Sequence, residues 1–131
     1  MKSIKFIVAA AALIMAATPA FAVDWVYVTT GENGSDFYYD ADTIQRSGNQ
    51  VTVWEKEDAS RNKTVKYREQ KIQGNFSCSS RTYRLLSFVA YYPDGKQNSS
   101  SLDTYEQKVE PIPPDTIGET RLEAVCSATA P

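Results

Sequence analysis

Apolar positions fall into one unbroken block, Phe6 to Ala17, followed by short runs in which hydrophobic and polar residues alternate. Trp25-Val26-Tyr27-Val28-Thr29-Thr30 is rich in β-branched and aromatic residues and predicts a strand. Gly31 to Gly34 predicts a turn, and Asp36 to Asp40 a short second strand. Asp42-Thr43-Ile44 predicts a single helical turn, and Ser47-Gly48-Asn49 a reversal of the chain. Val51 to Glu57 alternates as a third strand, before a polar loop from Asp58 to Asn62. Lys63 to Asn75 predicts a long fourth strand, because Val65, Tyr67, Glu69 and Lys71 alternate with Lys66, Arg68 and Gln70. Arg81 to Tyr92 is the strongest strand pattern. One face carries Tyr83, Leu85, Ser87, Val89 and Tyr91, the other Arg84, Leu86, Phe88, Ala90 and Tyr92. Both faces are largely apolar, which predicts a central strand covered on both sides. Pro93-Asp94-Gly95 predicts a hairpin turn, and the more polar residues 97–105 a sixth strand suited to an edge.

Pro111, Pro113 and Pro114 predict a break in regular pairing. Thr116 and Glu119 have the spacing of a capping box and predict a helix running to about Ser127, with Gly118, Leu122 and Val125 on one face and Ile117 and Cys126 flanking it. The expected architecture is α+β: an antiparallel sheet of about six strands with a C-terminal helix packed across one face and one disulfide.

The unbroken block changes the picture at the N-terminus. Lys2 and Lys5 precede it, and Thr18-Pro19 and Ala20-Phe21-Ala22 follow it. This is the pattern of a cleavable, bacterial-type signal peptide over residues 1–22, too short for a membrane span. The expected mature chain is residues 23–131, one domain of 109 residues. No cysteine follows the block to accept a lipid, so the expected product has no membrane anchor and stays in the periplasm or is secreted. Of 14 basic and 16 acidic residues, the signal removes two basic and no acidic ones, leaving 12 against 16 and a net charge of −4. That argues against a nucleic-acid partner. Both cysteines, Cys78 and Cys126, lie in the mature part, and an even count in an exported chain favours pairing over two separate buried thiols.

The chain has no histidine, which removes His-dependent nucleophilic catalysis and His-ligated zinc. Ser77, Ser79 and Ser80 have no activating partner in sequence. Asp40 with Asp42, and Glu55 with Glu57, form pairs two residues apart, a common pattern on solvated strand faces. No catalytic residue, metal ligand or cofactor is therefore expected. Residues 56–84 carry eight basic and three acidic side chains, so they are basic in an otherwise acidic protein. Lys66 and Arg68 share one face of the predicted fourth strand, with Arg84 beside them if the segments pair. With Tyr67 and Tyr83 they form a candidate binding surface, suited to anionic glycans, acidic protein or phospholipid headgroups. The plainer reading is a solvated face balanced by the chain's own acids. Ten tyrosines and tryptophans, from Trp25 to Tyr105, are too many for the one face a single helix covers. Several are expected on the opposite face, as a surface for interaction.

The opening Trp25 to Val28, Phe37 to Asp40 with Thr43-Ile44, and Val51 to Trp54 resemble the surface-adhesin protein E family. The likeness continues through Cys78, Arg81 to Ser87, Tyr92 to Gly95, Pro111 to Asp115 and Glu123 to Cys126, in order along nearly the whole mature chain. The resemblance implies a six-stranded antiparallel sheet with a packed helix, a Cys78–Cys126 bridge and a tendency to form homodimers. It also implies adhesion to host matrix or plasma proteins. The founding adhesin is a surface lipoprotein, whereas this chain lacks the lipidation cysteine. The expected function is a non-enzymatic binding module that contacts a host or envelope protein through its sheet face or edge. A second reading is an inhibitor or accessory factor of an envelope enzyme, with Asp58 to Asn62 as the inserting loop.

Overall fold

The computed structural model describes residues 23–128. The predicted signal segment, residues 1–22, lies outside them. Strand β1 (Trp25–Thr30) and β2 (Asp36–Asp40) form a hairpin closed at Gly31–Ser35, and a 3₁₀ turn, Ala41–Thr43, follows. Asp40 caps that turn by accepting the Asp42 amide, so the chain reverses where the Asx side chain competes with strand pairing. Then come β3 (Gln45–Ser47), β4 (Gln50–Asp58), β5 (Glu69–Ser77), β6 (Thr82–Tyr91), β7 (Gln97–Ser101), a 3₁₀ turn (Thr104–Glu106), β8 (Val109–Pro111) and α1 (Ile117–Ser127). Six strands run in the order β1-β2-β4-β5-β6-β7, all antiparallel, with the short β3 beside β4 and the short β8 beside β6. The architecture is the α+β arrangement expected, enlarged by two three-residue strands.

Register divides the residues between two faces, because side chains alternate along each strand. On the inner face the pairs Val51–Phe76 and Val53–Gly74 lie beneath α1, which contributes Leu122 and Val125. These residues with Ile44 form the buried core. Gly74 has a structural reason: a Cβ there would collide with the Tyr83 ring, which packs directly against that position. The helix begins as its sequence predicts, with the Thr116 hydroxyl accepting the Glu119 amide at 3.2 Å. The Glu119 carboxylate reaches Asp115 N–H and pairs with Arg81, rather than closing the box on Thr116. At the far end the Cys78–Cys126 disulfide joins helix to sheet, and Arg46 donates to the carbonyls of Val125, Cys126 and Ala128.

Four boundaries differ from the sequence reading. Strand β5 starts at Glu69, not Lys63, because Asn62 draws Thr64 into a local turn through both its amide and its hydroxyl. Strand β6 is not central: it is next to the edge strand β7, and only Ser87 and Ala90 on it are buried. Strand β7 ends at Ser101, where the Asp103 box caps a 3₁₀ turn instead of letting the strand run to residue 105. Pairing also reaches Pro111, opposite Thr82, since proline is tolerated on an edge strand.

Candidate functional site

Two polar arrangements occupy the inner face beyond the hydrophobic core. Glu55 and Glu57 follow Val51 and Val53 on the buried side of β4, at 3% and 6% exposure. The sequence reads this pair as solvated; the inward register of β4 buries it. Arg121 on α1 clamps Glu55 through two bonds of 2.7 Å, and its guanidinium lies over Tyr83 and Phe76. Glu57 accepts from Ser35, Tyr67 and Gln70, and Asn62 in turn donates to Ser35. This second network fastens the 59–68 loop over the sheet, and Ala59 and Asn62 are buried there. It uses neutral donors around one carboxylate, an arrangement that holds a loop.

Burial first, and then the Glu57 hydrogen bond, push the Tyr67 hydroxyl up to about 12. Its contribution to stability is therefore complete below about pH 10 and is lost as pH rises toward about 12. Thermal melts across that window should fall less steeply for Tyr67→Phe than for the natural chain. Parallel slopes would show that the loop anchor does not titrate with the fold.

Among the described residues no element covers the outer face. Across strands β1, β2, β4, β5, β6 and β7 its residues fall into rows. One row places Asp36 opposite Asp58 and Asp58 opposite Glu69. The Thr30 hydroxyl, and with it Arg61, holds Asp36 below the usual carboxylate range, and bonds from Ser60 do the same for Asp58. The next row reads Tyr27, Tyr38, Lys56, Lys71, Val89 and Ser99. Lys56 and Lys71 are direct cross-strand neighbours, a like-charge pair that destabilises a sheet. Lys56 Nζ lies 4.9 Å from the Trp25 ring and 4.5 Å from that of Tyr38, and Lys71 Nζ lies 5.4 Å from Tyr91. Neither lysine has an ion-pair partner among the described residues. Tyr27 packs edge-on against Tyr38 and stays 56% exposed. Beyond the lysines, Trp54 forms the floor between two open hollows of about 460 and 270 Å³. The aromatics in excess of the helix-covered face are thus on this outer side.

The two edges of the sheet differ. On β1 the register shifts between Tyr27 and Thr29, and α1 packs against the strand. Strand β7 is exposed at every residue. The Tyr92 amide donates to Lys96 O, and the Leu102 amide to Leu86 O. By alternation the backbone groups of Lys96, Asn98, Ser100 and Leu102 face β6, and those of Gln97, Ser99 and Ser101 face outward.

The five surface residues picked from sequence do not come together. Lys66 and Arg68 are exposed in the turns before β5, not on a strand face. Arg68 bonds to Tyr91 O at one end of β6, whereas Arg84 lies seven residues back along that strand, about 23 Å away at the usual strand rise. Tyr67 is bonded inward to Glu57. Tyr83 is turned inward against Phe76, with ring centroids 4.9 Å apart, and burial raises its hydroxyl pKa. The cations that the fold does bring together are Lys56 and Lys71, which sit in separate predicted strands. Only the β4–β5 register makes them neighbours.

Stapled helix, antiparallel sheet and bare outer face define a small α+β module. The chain belongs to the surface-adhesin protein E family, whose model matches residues 25–127. Its fold is similar to that of Haemophilus influenzae protein E. Crystal form II of that protein superimposes with a TM-score of 0.56 at 14% identity, covering 84% of this chain and 94% of the other. A further structure of H. influenzae protein E gives 0.54 at 11% identity, with 79% and 83% covered. Protein E from the non-typeable bacterium gives 0.51 at 13% identity, with 84% and 81% covered. No curated protein matches the chain.

Proposed function

We infer that this chain is a non-enzymatic binding module of the cell envelope, exported by residues 1–22 and contacting a protein partner through the open edge of its sheet. The observation that carries this reading is the contrast between the edges. Strand β1 is bulged and lies against the helix, while β7 offers an uncovered row of backbone donors and acceptors without lysine, proline or bulge. Such an edge is a template for an added strand, whose main-chain bonds supply affinity. Family membership supports the same class of activity, adhesion rather than catalysis. A host matrix protein or an envelope protein is the partner class in keeping with it.

The inhibitor reading finds less support. Its inserting loop, Asp58 to Asn62, is pinned down by Ala59, Asn62 and the Arg61–Asp36 ion pair, and does not project.

Ser99→Pro tests the edge. Proline at this position removes an outward N–H and leaves the β6–β7 bonds in place. Saturable binding of immobilised matrix proteins to the purified protein should be lost in Ser99→Pro and kept in Ser100→Thr. Equal binding by both variants sinks the edge as the contact surface.

A further inference from the structure

The outer face holds a feature that strand addition at β7 does not use. Lys56 and Lys71 oppose each other directly across β4 and β5, where repulsion works against the sheet. Each ammonium is set over aromatic rings instead of being paired with a carboxylate. On one side of them lies the row of Asp36, Asp58 and Glu69, which repels an acidic ligand. On the other side a groove crosses the strands. Its two hollows share Trp54 and Val89, with Trp25 at one end and Gln73, Ser87 and the β7 serines at the other. The one acid along this groove, Asp40, is buried and already accepts the amides of Asp24 and Asp42.

We propose that this cross-strand groove binds an acidic oligosaccharide, with sugar rings stacked on Trp54 and Trp25 and acidic substituents held by Lys56 and Lys71. The charge order selects the ligand's sign and its path: anionic groups are drawn to the lysines and kept off the acidic row, so the chain lies in the groove. The direction of the groove selects the ligand class. A chain crossing strands at right angles meets side chains only, so a peptide laid there would leave its backbone amides without a ladder to join. A glycan has no such requirement. Its C–H faces match flat indole rings, and its hydroxyls match the exposed hydroxyls of Ser99 and Ser101 and the amide nitrogen of Gln73, whose carbonyl accepts from Ser87. The binding is additional to the protein contact at the β7 edge and does not depend on it.

A heparin-derived octasaccharide serves as the acidic probe, a chito-oligosaccharide as the neutral one and poly-glutamate as the acidic peptide, with tryptophan fluorescence and calorimetry on the purified protein. The octasaccharide should bind and perturb Trp fluorescence, roughly tenfold or more tightly than the neutral sugar. Lys56→Gln/Lys71→Gln should lose about tenfold in affinity or more, and Trp54→Ala should weaken binding and leave only the smaller fluorescence change reported by Trp25. The lysine variant keeps its melting temperature, because relief of repulsion offsets the lost cation–π contacts. It also keeps edge binding, which separates failure of the groove from failure of the β7 reading. The proposal is overturned if the octasaccharide does not bind, if binding survives the lysine substitutions, or if poly-glutamate binds as tightly and is indifferent to Trp54→Ala.

Discussion

Glu55→Gln should destabilise the protein by about 3–5 kcal/mol, a large part of what a domain of this size has in total. The carboxylate is 4% exposed at its side chain and meets Arg121, 17% exposed, in a two-pronged bond. Burial lowers the Arg121 pKa, while the Glu55 charge and its hydrogen bonds raise it and prevail. Substituting Gln leaves the guanidinium partly buried against Phe76 and Tyr83 with its charge uncompensated. The size of the loss therefore reflects the orphaned partner more than the attraction that was removed. A double substitution, Glu55→Leu with Arg121→Met, should recover most of the stability, since apolar groups of similar volume fill the space without a charge to satisfy. Urea unfolding of the two single variants and the double one gives the coupling directly. If Glu55→Gln loses less than about 1 kcal/mol, the pair behaves like a surface ion pair and the helix is held by its apolar face alone.

The same residue marks where the sequence stops being informative. Alternation in β4 is visible in the chain, and Val51 and Val53 identify its apolar side. Extending that parity by two and four residues puts Glu55 and Glu57 on the same side, a conclusion the residue types oppose. Charge normally signals solvent. What buries these carboxylates is not local: Arg121 arrives from a helix 66 residues later, and Tyr67 and Ser35 from two loops. The helix, by contrast, is written in a few adjacent residues, Thr116, Glu119, Leu122 and Val125, and it forms where they place it. The start of β5 misleads because Val65 and Tyr67 mimic strand alternation, while the decisive contact is the Asn62 side chain on Thr64. On the outer face the aromatic surplus foretells a second populated surface. The Lys56–Lys71 pair does not show in the sequence, since strand register lies outside any single segment.

Reducing the disulfide, or replacing both cysteines by serine, should lower stability by about 4 kcal/mol on the loop-entropy model. Cys78 and Cys126 are 48 residues apart in sequence, and the loop they close contains β6, β7, β8 and most of α1. Without the bond the unfolded chain gains freedom over that whole stretch, so the urea midpoint should fall while the dependence on urea steepens. The loss should also be uneven. The start of α1 keeps the Thr116 cap and the Arg81–Glu119 pair, but its end keeps only the packing of Val125 and the Arg46 bonds to the last carbonyls. Hydrogen exchange in the reduced protein should therefore accelerate first at the end of α1, and Arg46→Ala should add more to that local opening when the disulfide is absent than when it is present. If midpoint and exchange are the same in oxidised and reduced protein, apolar packing alone fixes the helix. If they differ as expected, the disulfide is what lets so small a core keep α1 docked while the opposite side of the sheet stays bare.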